Sequence, residues 1–176
     1  LTLLRKDTTQ PIVVHLTRAV IKVNIVRSHL PEPVIGYIRI TQFQQPTVDL
    51  LNQNVQKLTK QNGGEVKDLI LELRDDPGGL LTGAVGVSAA FLPEGSKVVS
   101  TKGRDGKEGM NLKASKDDYA GGALKDPLSG FPASIKNIPM TILINSGSQS
   151  ASEIVDGDLR DHQRAVLGGT QSYGNL

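Results

Sequence analysis

Four serines, Ser146, Ser148, Ser150 and Ser152, crowd into the seven residues that open "SGSQSASEI". Serine is unfavourable inside helices and strands, because its hydroxyl competes for nearby backbone groups, and favourable at turns and caps. The cluster follows the apolar run "MTILIN" (140–145) and precedes a helical pattern with Ile154, Val155 and Leu159 apolar. Ser148, Ser150 and Ser152 cannot all be the N-cap. A serine at a helix start has its oxygen near the positive end of the helix dipole, which favours a developing alkoxide. Nucleophilic chemistry is therefore open here beside the plainer reading of turns and caps. Two familiar serine patterns are absent: G-x-S-x-G is not matched, and no Ser-x-x-Lys occurs in the chain.

A second stretch, "RDDPGGLL" (74–81), has unusual backbone chemistry. Pro77 fixes its own φ, and Gly78 and Gly79 reach φ values closed to other residues. The glycines stand at the start of a helical pattern, where unpaired N–H groups can hold an anion or a developing oxyanion. Taken alone, the stretch reads rather as a simple strand-to-helix turn, since Pro-Gly is common turn punctuation. It lacks the Gly-Lys-Ser/Thr ending of a phosphate-binding loop. Asp75 and Asp76 suggest a metal pair, but before Pro-Gly-Gly they read as turn and helix-start residues.

The histidines do not complete a Ser-His-Asp triad. His15, His29 and His162 fall on an expected strand, loop and helix end. His162 lies along the same helix as Ser150, too far to reach it, and with Asp161 beside it reads as a C-terminal helix cap. Glu153 and Arg164 read as structural ion-pair or hydrogen-bond partners.

These residues need elements to position them. "LTLLRKDTTQPIVVHLTRAVIKVNIV" (1–26) is rich in β-branched residues, with a hairpin break at "KDTTQP". "VIGYIRI" (34–40) is a strand. "TVDLLNQNVQKLTKQNGG" places Val48, Leu51, Val55 and Leu58 on one helical face and stops at Gly63-Gly64. "LILELR" (69–74) is a strand, "LLTGAVGVSAAFLPEG" a helix, and "KVVST" a strand. Residues Lys102 to Ser134 are polar, glycine-rich and weakly periodic, and read as a long loop insertion that serves a site or moves. "MTILIN" is a buried strand, "SASEIVDGDLRDHQ" a helix and "RAVLGG" a strand. This alternation predicts an α/β domain, in which ligands gather where strands end and helices begin. Both unusual stretches stand at such junctions.

Composition bounds the rest. The 176 residues are 38% hydrophobic and 22% charged, enough for a core in one domain. A net charge of +2 and 3% aromatics give no footprint for nucleic acid. The absence of cysteine excludes disulfides, thiolate metal sites and a cysteine nucleophile. No apolar run reaches the length of a membrane span. The chain opens at Leu1 without a signal-peptide pattern, and is expected to be a piece of a longer polypeptide.

The two stretches together resemble the carboxyl-terminal processing peptidases, or tail-specific proteases. The resemblance runs from "LILELRDDPGGLLTGAVGVSAAFLP" to "PMTILINSGSQSASEI...DHQRAVLGG", with "GYIRITQF" and "VVSTKGRDG" in the same order. It implies a crotonase/ClpP-like core of repeated ββα units over residues 21–176, truncated at its C-terminal end. Residues 1–20 resemble the last strands of the PDZ domain that precedes this core. The resemblance also implies a serine and a lysine that hydrolyse peptide bonds. The serine falls on Ser150. The oxyanion hole falls on the amide of Ala151 and one glycine of the turn, Gly78 or Gly79. No cofactor, coenzyme or metal is implied. The expected partners are protein or peptide substrates with apolar C-termini, and the expected location is exported, in the periplasm or cell envelope, or the plastid lumen in a plant.

The chain departs from the family pattern at one decisive place. The family lysine lies in an "F-G-K-G" turn, where this sequence reads "SYGNL", so Asn175 stands at the lysine position and Leu176 at the next glycine. A glutamine that the family places one turn further is also missing. Asp156 and Asp158 stand where the family tends to have small residues. Three classes of function follow: a serine endopeptidase that trims C-termini, a peptidase-like scaffold that binds peptides without cutting, and a crotonase-like acyl-transfer enzyme. The serine motif disfavours the third, and coenzyme A binding would support it. As written, the chain is expected to be proteolytically inactive or nearly so, since an asparagine amide cannot take the serine proton.

Overall fold

The computed structural model describes residues 1–19, 23–61, 63 and 66–174. Two short strands, β1 (Thr2–Leu3) and β2 (Ile12–Val13), form an antiparallel hairpin of their own. The main sheet holds β3 (Val26–Glu32), β4 (Ile35–Ile40), β5 (Asp68–Glu72), β8 (Met140–Ile144) and β9 (Val166–Gly169), in the order β3-β4-β5-β8-β9. β3 and β4 are antiparallel and the remaining neighbours parallel, so the sheet is mixed. Each parallel step needs a crossover. The helices α1 (Thr47–Gln61), α2 (Leu81–Phe91) and α4 (Ala151–Asp161) supply them. The fold is α/β, as the alternation predicts.

The central strands carry the core. Ile38 and Ile40 of β4, Leu71 of β5 and Ile142 of β8 are fully buried. α1 buries Val48, Leu51, Val55 and Leu58, the face its spacing predicts. It ends before Gly63, which takes φ 60, a conformation glycine adopts without a Cβ penalty; Gly64 lies outside the described residues. α2 buries every residue from Gly83 to Phe91, so it is a core helix rather than an amphipathic one. It packs against both α1 and α4.

Three sequence expectations are corrected. Lys102–Ser134 is not one loop: β6 (Lys97–Lys102) and β7 (Glu108–Lys113) form a hairpin, followed by the short helix α3 (Lys116–Tyr119) and a 3-10 turn at Ala133–Lys136. Its exposed residues bury too little to leave a periodic pattern. His29 is not in a loop but in β3, opposite Tyr37, with ring centroids 4.6 Å apart. Pro31 and Pro33 disguise that strand, yet an edge strand tolerates proline. His15 lies just after β2 and is not in a strand.

Truncating the centre of the sheet should be costly. Leu71→Ala removes a fully buried side chain between β4 and β8, and urea unfolding should show a loss of about 2–5 kcal/mol.

Candidate functional site

β5 and β8 are adjacent parallel strands, with Glu72 opposite Leu143. Their C-terminal ends therefore lie side by side, and so do the turns leading into α2 and α4. Those turns are the two stretches singled out by sequence.

The serines divide into distinct jobs. Ser148 is fully buried, and its Oγ donates to the Leu73 carbonyl at 2.8 Å while accepting the Asn145 N–H at 3.0 Å. Ser152 is also fully buried and donates to the Asp76 carbonyl at 3.1 Å. Both stitch one turn to the other. Ser150 is exposed, at the N-cap of α4, with φ 51 and ψ −111. A non-glycine residue at positive φ carries backbone strain that its surroundings must hold, and such strain gathers at functional sites. The turn is thus a sharp strand-to-helix elbow, although the sequence lacks the G-x-S-x-G pattern. Glu153, three residues on, accepts the Ser150 N–H at 3.0 Å, the carboxylate half of a capping box.

The glycine turn is held on two sides. Gly78 donates its N–H to Asp76 Oδ1 at 2.8 Å. The Gly78 carbonyl accepts from Phe43 N–H, and Leu80 N–H donates to the Phe43 carbonyl, both at 2.9 Å. In this strand-like bridge, Gly79 turns its own N–H away from Phe43. Gly78 and Gly79 take φ 89 and 142, and a side chain on Gly79 would collide with the Phe43 carbonyl. A Cβ added to Gly78 would lie 2.8 Å from Ala151 N and 3.0 Å from Ser150 Cβ, so the two turns are in contact. The N–H groups of Gly79 and Ala151 have no hydrogen-bond partner among the described residues. The Gly78 N–H is committed to Asp76.

The chain after β9 returns to the serine turn. Thr170 N–H donates to the Ile144 carbonyl at 3.2 Å and Tyr173 N–H to the Ser148 carbonyl at 3.1 Å. Glu153 Oε1 accepts Ser172 Oγ at 2.9 Å and Gly174 N–H at 2.6 Å. Asn175 lies outside the described residues.

His162 stands at the C-cap of α4, with Nδ1 3.0 Å from both the carbonyl and the carboxylate of Asp158. Its carboxylate partner is therefore Asp158, while Asp161 pairs with Arg160 at 3.0 Å. Arg164 donates to the Ile135 carbonyl at 3.0 Å and lies over the Phe91 ring. Asp75 Oδ1 accepts Asn145 Nδ2–H at 2.9 Å. Among the described residues no group of three or more His, Cys, Asp or Glu is arranged to hold a metal ion. Asp76 is the turn residue that the sequence suggests, but sequence reading missed that it is fully buried between the two turns.

The profile of peptidase family S41 matches residues 34–176. The chain belongs to this family. It is 38% identical over 175 residues to a carboxy-terminal-processing protease of Bartonella bacilliformis, covering 99% of this chain and 36% of that protein. A probable CtpA-like serine protease of Staphylococcus aureus is 35% identical over 140 residues, covering 80% of this chain and 25% of that protein. Among solved structures, a photosystem II D1 C-terminal processing protease superposes with a TM-score of 0.66 at 24% identity, covering 93% of this chain and 41% of that one. A putative S41 protease from Bacteroides fragilis gives 0.62 at 17% identity, covering 98% and 47%. The chain thus matches between a quarter and somewhat over a third of the length of these curated relatives.

The helix that carries Ser150 also buries two carboxyls. Asp156 and Asp158 are 5% and 8% exposed, and each has an Oδ2 without a partner among the described residues. Burial pushes both up to about 6. A carboxyl raised in the folded state contributes stability that is fully present below its unfolded value near 3.8 and is lost as pH rises through about 6. Asp156→Ala should therefore lessen the fall in stability between pH 4 and 7, with Asp158 and Asp76 still contributing to it. At pH 7.5, denaturant unfolding should show the variant more stable than the parent by on the order of 1–3 kcal/mol.

Proposed function

We propose that this chain is the greater part of the core of a serine peptidase that cleaves proteins near their C-termini by a Ser/Lys mechanism, and that with Asn175 at the lysine position it is itself inactive or nearly so. The observation that carries the reading is Ser150, exposed and held at positive φ against the glycine turn, with an unengaged N–H on the next residue, Ala151, and another on Gly79 of the turn it touches. In this reading Ser150 Oγ attacks the substrate carbonyl. The carbonyl oxygen gains negative charge and is held by Ala151 N–H and Gly79 N–H, since Gly78 N–H is already engaged. A neutral lysine would take the serine proton, its pKa lowered by burial. An asparagine amide has no such basicity, and a well-placed general base contributes about 10²–10⁴-fold.

The finer picture comes with the same proposal. The core is crotonase/ClpP-like, residues 1–20 are the last strands of a PDZ domain, and the protein works outside the cytoplasm on substrates with apolar C-termini. The identity to processing proteases over most of the chain supports this. A second reading, a scaffold that binds peptides without cutting them, is favoured by Asn175 itself.

Fluorophosphonate labelling separates the two. The parent should label weakly or not at all, Asn175→Lys should raise Ser150 labelling by about 10²-fold or more, and Ser150→Ala in that background should abolish it. Labelling in neither chain favours the scaffold. Robust cleavage of an unfolded substrate by the parent, lost in Ser150→Ala, would show that another base acts. Peptide capture by edge-strand addition needs a complete PDZ groove. Calorimetry of this chain with a peptide ending in apolar residues should thus show little heat, and micromolar binding would contradict the assignment of residues 1–20.

A further inference from the structure

Asp76 is fully buried, yet the chemistry above gives it no part. It touches both turns. Its Oδ1 accepts Gly78 N–H at 2.8 Å, closing a loop in which a side-chain oxygen binds the N–H two residues on. Its backbone carbonyl accepts Gln149 N–H at 3.0 Å and Ser152 Oγ at 3.1 Å. Gln149 and Ser152 bracket Ser150 and Ala151, so one residue grips the serine turn from both sides. Its second carboxyl oxygen, Oδ2, is buried with no partner among the described residues. A buried acceptor left unpaired is costly, and turn geometry alone does not demand one.

We propose that Asp76 is a positioning residue of the Ser150 site: its side chain takes up the Gly78 N–H, so that Gly79 N–H and Ala151 N–H are the pair left to meet the substrate carbonyl. The inference rests on the reading of Ser150 as nucleophile. The peptide planes give its logic. With Gly78 N–H turned back to Asp76 and Gly78 C=O turned to Phe43, the Gly79 N–H can only face away from Phe43, because C=O and N–H of one trans peptide oppose each other. Gly78 N–H belongs to the preceding peptide, Pro77–Gly78, so releasing it leaves the Gly79 plane held by the Phe43 bond alone, and the turn that aims the Gly79 donor loosens.

The clamp has a pH signature. Burial pushes the Asp76 carboxyl up to about 6, against the Gly78 N–H hydrogen bond and the charge of Arg39 on β4, which favour the ionised form. A protonated carboxyl is a weaker acceptor than a carboxylate. The Gly78 bond therefore weakens as pH falls through about 6. Asparagine keeps the acceptor oxygen and the shape but does not titrate.

Two readouts test this on the full chain. By ¹⁵N NMR, the Gly78 amide should shift with pH with a midpoint near 6 in the parent and stay flat in Asp76→Asn. In the Asn175→Lys background, Asp76→Asn should keep Ser150 labelling at pH 8 close to its parent and lose the acid limb around pH 6. Asp76→Ala should lower that labelling by about 10-fold or more, as loss of an oriented oxyanion donor does. Should Asp76→Ala not fold, the Asp76→Asn pH profile decides. A Gly78 amide indifferent to pH, or an acid limb unchanged in Asp76→Asn, overturns the proposal. Absence of Ser150 labelling in every background refutes the nucleophile reading and with it a positioning role, and a Gly78 amide that still titrates would then show that the clamp itself forms.

Discussion

The site depends on a single acceptor, the carbonyl oxygen of Asp76. It receives Gln149 N–H and Ser152 Oγ, and with the Ser148 bond to Leu73 it fastens the end of β8 to the end of β5. These bonds are buried, where an unpaired polar group is expensive, so the two turns cannot part without a large penalty. That penalty is what allows Ser150 to remain at positive φ. A strained residue persists only where its neighbours over-determine it, and here both flanking segments are tied down.

Much of this arrangement was legible in the sequence, because some requirements leave a local mark. Glycines at positive φ had to be glycine, so "PGG" showed. Parallel strands buried on both faces read as apolar runs, so "MTILI" and "LILEL" showed. Other requirements leave none. β3 hides behind Pro31 and Pro33, and β7 has scarcely any buried residue to betray it. The bond from Ser152 to Asp76 spans 76 positions, and no periodicity points across such a gap. The choice between Gly78 and Gly79 was closed to sequence reading altogether. The two residues are chemically identical, and only the orientation of successive peptide planes tells them apart.

Polar atoms also lie in the seam between α2 and α4. Ser88 of α2 and Asp158 of α4 are buried there, with oxygens that lack partners among the described residues, and Asp156 of α4 is buried likewise. Protein interiors are close-packed, and a carboxyl has little room to find water. The helix that presents Ser150 thus carries carboxyl oxygens without partners among the described residues along its length, while Glu153 and the stitched turns hold its tip.

Glu153 has a wider reach than a cap. One of its oxygens meets the Ser150 amide, and the other meets Ser172 and Gly174. The segment leading to position 175 is thus anchored to the Ser150 turn by groups other than the residue at 175. A change of side chain there alters the chemistry on offer while leaving these tethers in place. In the proposed Ser/Lys reading, gain or loss of the base is in that sense a change of cargo on a berth already moored, a matter of a single codon rather than of a refolded loop.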